Sequence, residues 1–187
     1  IGGTRFYERK EIRDMIAYLS VINNPADEIR LRRIINTPKR SIGERTVAQA
    51  AEIARALGEP LFEVISRADE FAALKRSANK LREFTAMMQE LIDASNDEET
   101  SLGDLYQLLL EKTRYEDYLK AENEEADDRI DNVHELASNL IQYEEGQEEP
   151  TLGGFLEEVS LMTDIDNYDQ DADSVVMMTM HSAKGLE

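Results

Sequence analysis

From Ile12 to Ile22 the apolar residues fall three or four positions apart, at Ile12, Met15, Ile16, Leu19 and Ile22, and this spacing returns in most later segments. It matches the 3.6-residue turn of an α-helix, so the chain buries helical stripes rather than the alternating face of a sheet. Asn23-Asn24-Pro25 ends the first helix. A second, short helix is expected from Pro25 to Ile35, with Ile29, Ile34 and Ile35 inward and Arg30, Arg32 and Arg33 outward. Thr37-Pro38 then breaks the period.

The segment "ERTVAQAAEIARALG" is an alanine-rich helix with Gly58 in the usual C-terminal position, and Pro60 suits the first turn of the next helix. Helical spacing continues from about Ala72 to Ala94, through Leu74, Leu81, Phe84, Met88, Leu91 and Ile92. After the polar break "NDEET", Ser101 with Asp104 resembles a capping box that opens a further helix. "DDRIDNVHELASNLIQYEEG" and "TLGGFLEEVSLMTDI" supply two more amphipathic segments, for six to eight helices in all. "SVVMMTM", at residues 174–180, departs from this pattern, being apolar on both alternating faces like a buried strand. The predicted fold class is mainly α: a multi-helix, bundle-like body bracketed by short strand-like ends that belong to a neighbouring sheet.

Composition narrows the function classes. Hydrophobic residues make up 41% of the 187. That is enough for a buried core. Cysteine is absent, which removes disulfides and thiolate metal sites. His134 and His181 have no ligand spacing, so no metal site is expected. The acidic stretch "DIDNYDQDADS" lacks the central glycine and terminal glutamate of an EF-hand and reads as a solvated linker. Paired acids such as Glu124-Glu125 and Asp127-Asp128 lack apolar walls that would raise a carboxyl pKa for acid/base work. No apolar run reaches membrane-spanning length, and no signal peptide is visible, so the expectation is a soluble, cytoplasmic protein with no membrane partner. The start at Ile1, with two glycines following, reads as that of an excised fragment.

The formal charge of −19 hides an asymmetry. Residues 1–82 carry 16 Lys and Arg against 11 Asp and Glu, whereas residues 83–187 carry 5 against 29. A basic face can therefore act locally while distant acids are screened within about 8 to 10 Å. "TPKRSIGERT", residues 37–46, concentrates that positive charge. Ile42 can anchor inward, Gly43 permits close backbone approach, and the start of the following helix offers free N–H groups to an anion. Lys39, Arg40 and Arg45 would add attraction to a nucleic-acid backbone that is independent of base sequence. An ordinary helix–helix connection with solvated cations remains open at this level.

Two longer stretches carry a family resemblance. "GGTRFYERKEIRD" resembles motif IVa of the UvrD/PcrA/Rep-type superfamily 1A DNA helicases, through Gly2, Gly3, Phe6, Arg9, Glu11, Ile12 and Asp14. "TMHSAKGLE" resembles their motif V, through Thr179, His181, Ala183, Lys184, Gly185, Leu186 and Glu187. The resemblance implies three parts. Residues 1–36 would be the edge of a RecA-like 2A domain, 37–173 a helical 2B domain inserted into it, and 174–187 the return to 2A.

It also implies roles. The family's Gly-Ile-Gly turn, which touches duplex DNA, corresponds to Ser41, Ile42 and Gly43, beside Thr46; Ser41 stands where glycine is usual. A second element, Gly-Tyr-x-x-x-Leu, corresponds to Arg114, Tyr115 and Leu119, with Arg114 again in place of glycine. Thr179 and His181 would contact single-stranded DNA, and Glu187 would approach the ATP ribose. ATP and Mg would be cofactors of the parent enzyme only. None of the nine glycines opens a G-x-x-x-x-G-K-[ST] loop, so no catalytic residue is assigned to this chain. The implied function is an accessory, regulatory 2B domain of an ATP-dependent 3′–5′ DNA helicase, with DNA and the 1A, 1B and 2A domains as partners. The alternative is a helical protein-interaction module whose acidic half docks a basic partner.

Overall fold

The computed structural model describes the backbone of residues 3–122 and 126–166, and the side chains of residues 6–122 and 126–162. Ten α-helices and two single-turn 3₁₀ helices lie among the described residues, with no strand. The mainly α expectation holds.

The centre of the body is α2 (Lys10–Asn23), which ends where Asn23-Asn24-Pro25 was expected to stop it. Ile12, Met15, Leu19 and Ile22 form its buried stripe, but Tyr18 and Val21 are buried as well, so α2 is enclosed nearly all round. It packs on α3 (Glu28–Ile34), α6 (Ala78–Ser95), α9 (Ala126–Gly146) and α10 (Leu152–Asp166). Between them, α4 (Glu44–Leu57) turns Val47, Ala50, Ala51 and Ala54 inward, and α5 (Leu61–Ser66) packs beneath it. Small alanines let the two helices approach closely. α7 (Leu102–Thr113) and α8 (Tyr115–Glu122) complete the body against α9. One apolar cluster runs from Phe6 to Val159 and includes Ile34 and Ile35 together with Ile42 and Val47. The core is thus continuous across residue 36.

Local signals behave as their chemistry requires. Gly58 closes α4 in the left-handed conformation, with φ 68°. Lacking a Cβ, a glycine adopts this geometry at little cost. Ser101 Oγ accepts from the Asp104 N–H at 3.0 Å and donates to its carboxylate at 2.8 Å. Asp27 caps α3 by accepting from the Arg30 N–H.

Five expectations are corrected. The aromatic start is not strand-like: Gly3–Glu8 form a helix, α1, with Phe6 and Tyr7 buried. A helical turn satisfies its own backbone groups, whereas a strand here would have no neighbour among the described residues. Ile29 is 82% exposed, because α3 begins only at Glu28 and its inward stripe is Leu31 and Ile34. Arg33 does not face away but pairs with the buried Asp14 at 2.8 Å. Six to eight helices were expected; short pieces raise the number, since Arg9 separates α1 from α2 and Arg114 separates α7 from α8. The predicted helix at 72–94 is likewise a 3₁₀ turn, Ala72–Leu74, followed by α6. The strand expected at 174–180 lies outside the described residues, as does most of the acidic linker before it.

Candidate nucleic-acid interface

The loop between α3 and α4 is held from below by α2 and from inside by its own first residue. Asn36 Oδ1 accepts from the backbone N–H of Arg40 at 2.7 Å and of Ile42 at 3.2 Å. This folds the loop back on itself, as an asparagine side chain does when it stands in for a backbone acceptor. Ile42 is 1% exposed and plugs the loop into the core, as its position in the sequence suggested.

Adjacent cations separate sharply. The Arg40 guanidinium turns inward, donating to the carbonyls of Ile34 at 2.9 Å and Pro38 at 3.2 Å and to the Tyr18 hydroxyl at 2.7 Å. Its carbon sits 5.1 Å from the Phe84 ring centre and 5.9 Å from that of Tyr18. Both distances are within reach of a cation–π attraction. Tyr18 in turn donates to the Thr37 carbonyl at 2.6 Å. Burial pushes the Tyr18 phenol up to about 12 against the opposing pull of Arg40, so it stays a neutral donor. Arg40 therefore holds the loop's shape. Lys39 and Arg45 are exposed, and neither pairs with a carboxylate among the described residues.

The start of α4 is bare. Gly43 is the N-cap and has no side chain to cap the helix, and a Cβ at this position would meet nothing within 4 Å. Gly43 has an ordinary φ of −73°, so glycine is not required there by backbone strain. The Thr46 and Val47 N–H groups bond back to the Gly43 carbonyl, leaving those of Glu44 and Arg45 at the open end. Thr46 Oγ1 lies 3.3 Å from Ser77 Oγ, and Lys80 Nζ donates to the Ser41 carbonyl at 3.4 Å.

Ser41 has φ 56°, and the other non-glycine residue in the left-handed region among the described residues is Arg114, φ 52°. These are the two positions where glycine was expected from the family resemblance. The backbone keeps a glycine-like geometry at both, with a side chain in place.

The second expected DNA element does not join the loop. Tyr115 is fully buried and donates to Asp14 Oδ2 at 2.7 Å, so it offers nothing to a ligand. Burial and the neighbouring Asp14 carboxylate both push its phenol well above the ordinary tyrosine value. Arg114 is exposed but forms an ion pair with Asp117 at 2.9 Å. Thr179, His181 and Glu187 lie outside the described residues.

Sequence reasoning missed Asn36, Tyr18, Phe84 and Lys80. Asn36 was findable, because an asparagine opening a loop commonly accepts from N–H groups ahead of it. The other three come to the loop from remote helices, and no local signal marks them.

The acids of the motif IVa-like stretch are internal. Asp14, 2% exposed, bridges Arg33 and Tyr115; Glu11 takes Asn132 at 2.7 Å and Arg129 at 3.4 Å. They tie α2 to α3, α8 and α9.

Comparison with known proteins gives the chain's family. The UvrD-like helicase C-terminal domain family matches residues 1–187. The ATP-dependent DNA helicase PcrA of Bacillus subtilis (strain 168) is 38% identical over 194 residues, covering all of this chain and 26% of that protein. PcrA of Staphylococcus aureus (strain Mu50) is 37% identical over 190 residues, with the same coverage. The chain thus spans about a quarter of the length of these curated relatives. A match over every residue, with the motif IVa-like acids built into the centre of the fold, places the chain in the UvrD-like helicase C-terminal domain family.

Proposed function

We propose that this chain is the accessory 2B region of an ATP-dependent 3′–5′ DNA helicase, gripping the backbone of duplex DNA near the fork. One observation carries the reading: Lys39 and Arg45, exposed and unmatched by carboxylates among the described residues, flank an uncapped helix start that Gly43 leaves open. Free N–H groups and the positive end of α4 suit a phosphate oxygen, and the two cations add attraction that reads no bases. Arg40, Asn36 and Ile42 fix the loop's geometry without touching DNA. Ser41 and Thr46 border the contact, and Arg114 lies outside it.

The helical body moves as one piece in this mechanism, swivelling to promote or restrain unwinding. Its shared core, which runs from Phe6 to Val159, argues that α1, α2 and α3 travel with the later helices. Residues 174–187 return to 2A, where Thr179 and His181 meet single-stranded DNA and Glu187 approaches the ATP ribose. ATP, Mg and the chemistry of phosphoryl transfer belong to the 1A and 2A domains of the parent enzyme. The isolated chain neither hydrolyses ATP nor unwinds DNA.

The test is binding of the full-length protein to a duplex with a single-stranded tail, followed by anisotropy across a salt series. Lys39→Ala with Arg45→Ala should lower the log–log salt slope by about 1.8, at about 0.9 for each phosphate left without its cation. An unchanged slope sinks the loop grip. A competing reading draws on the exposed acids Asp127, Asp128 and Asp131 of α9, which would dock a basic protein. It predicts unaltered DNA binding in the loop variant, and loss of that partner on charge removal in α9.

A further inference from the structure

A cleft of about 450 Å³ opens between α2, α3 and α10. Ile16 and Leu156 give it an apolar lining, and Ile29, the most exposed large apolar side chain among the described residues, joins them. Three cations, Arg13, Arg30 and Arg33, complete the wall, and no carboxylate lines it. That is unusual in a chain with 40 Asp and Glu against 21 Lys and Arg. Three other clefts are lined by acids: Glu135 and Glu158 in one, Glu144 and Glu149 in the next, Asp128 and Asp131 in the last. Arg30 and Arg33 already hold Asp27 and Asp14 at 2.8 Å, but a guanidinium has five N–H donors and each keeps some in reserve. The cleft therefore suits an extended ligand with several acids and an apolar anchor.

α10 forms one wall, and its direction decides what can reach the cleft. A Cβ on Gly153, near the start of α10, would lie 3.4 Å from Asn23 Oδ1 at the end of α2. α10 also packs on α1, which precedes α2, so it runs antiparallel to α2 and its continuation leaves beside the first turns of α2. Arg13 lies there, and so does Arg33, which donates to the Lys10 carbonyl at 3.4 Å. The sequence that continues from α10 is "NYDQDADS", residues 167–174. It has Tyr168, no Lys or Arg, and acids at alternate positions, Asp169, Asp171 and Asp173, which an extended chain presents on one face. Eight extended residues reach about 26 Å, whereas the seven residues of α3 along the opposite wall span about 10 Å. A segment tethered at this range has an effective concentration on the order of millimolar, which favours it over a free partner of the same chemistry.

We propose that residues 167–174 dock in this cleft, with the three aspartates toward Arg13, Arg30 and Arg33 and Tyr168 against Ile29. The acidic stretch is then held on the helical body and is not a solvated linker. Docking shortens the free chain between the body and the return to 2A and so restrains the swivel. That consequence rests on the function proposed above; the docking itself does not.

Hydrogen exchange of the full-length protein without DNA tests the docking, so failure of the duplex grip leaves the result untouched. Amides of 167–174 should exchange about tenfold more slowly than in an unstructured chain, as a millimolar effective concentration gives against an affinity near 0.1 mM. Arg13→Glu with Arg30→Glu should abolish that protection, as should Asp169→Lys with Asp171→Lys and Asp173→Lys. Combining the two sets should restore it. Arg33 is left in place because it partners the buried Asp14. An unstructured rate in the parent, or protection that survives either reversal, overturns the proposal. A second measurement needs no change in the folded body: a labelled synthetic peptide of residues 163–175, followed by anisotropy. It should bind the aspartate variant about tenfold more tightly than the parent, whose cleft is occupied. Equal binding would mean a cleft open to free acidic partners, and binding to neither a cleft without affinity for the segment; each overturns the proposal.

Discussion

Two charged regions of this chain attract notice in the sequence for the same reason, and the fold uses them in opposite ways. In α2 the acids of the motif IVa-like stretch point inward, where Asp14 joins Arg33 to Tyr115 and Glu11 joins Asn132 to Arg129. In the α3–α4 loop Lys39 and Arg45 point outward, with no carboxylate among the described residues to meet them. Matched charge inside a protein holds elements in register, and losing one partner strands the other in a poor solvent. Unmatched charge at the surface adds little to stability and is available for a ligand. A motif match alone does not say which of these a residue does.

The sharpest way to break the contrast is Asp14→Ala. It removes the acceptor of the buried Tyr115 hydroxyl and the partner of Arg33. The fold should lose about 3 kcal/mol, the low end for breaking a buried pair. Denaturant unfolding measures it; a loss under about 1 kcal/mol would mean that the network is incidental. Next comes the neighbouring pair Lys39 and Arg40. Arg40 donates to the Ile34 carbonyl and the Tyr18 hydroxyl, whereas Lys39 is exposed. Arg40→Ala should cost about 2 kcal/mol through its charged hydrogen bonds. Lys39→Ala should stay within about 0.5 kcal/mol of the parent. Equal effects on melting would erase the distinction between a cation that shapes the loop and one that serves a ligand.

Ser41→Gly and Arg114→Gly act in the other direction, because both residues hold a left-handed backbone. Relief of that backbone, about 1.5 kcal/mol, is partly offset by about 0.7 kcal/mol of extra freedom in the unfolded chain. Each variant should gain roughly 0.8 kcal/mol, and a loss at either site would show that its side chain contributes more than its backbone costs. The smallest effect is one of pH. The Tyr118 hydrogen bond, helped by Arg129 and Lys10, holds the Glu122 carboxyl below its ordinary value. A depressed folded value stabilises above the unfolded carboxyl pKa and is lost as pH falls through the folded one. Glu122→Gln should therefore lower stability slightly at neutral pH, converge with the parent at acid pH, and so flatten the limb below about pH 4.5. An acid limb of unaltered steepness would show that Glu122 contributes nothing to acid sensitivity.

Much of the fold was legible. Helical spacing located α2, α4, α7, α9 and α10, because burying a stripe demands the same period whatever the partner helix is. Ser101, Gly58 and Asn23-Asn24-Pro25 marked ends correctly, since caps and breakers act on backbone groups within one turn. α3 was misread at Ile29 and Arg33 because a seven-residue helix shows too few turns to fix its inward face. At the candidate site, Ile42 was read correctly as an inward anchor. The inward turn of Arg40 and the burial of Tyr115 had no local signal.

The sequence alone determined a helical chain, its divided charge and the family motifs at its two ends, all of which depend on residue type and spacing. Only the tertiary structure decided which charges are matched. Arg40 could face a phosphate or the Tyr18 hydroxyl, and Tyr115 could face DNA or Asp14. The outcome depends on which remote helix comes within about 3 Å. An ion pair or hydrogen bond is a contact between distant positions, and its geometry exists only once the core that joins them has formed.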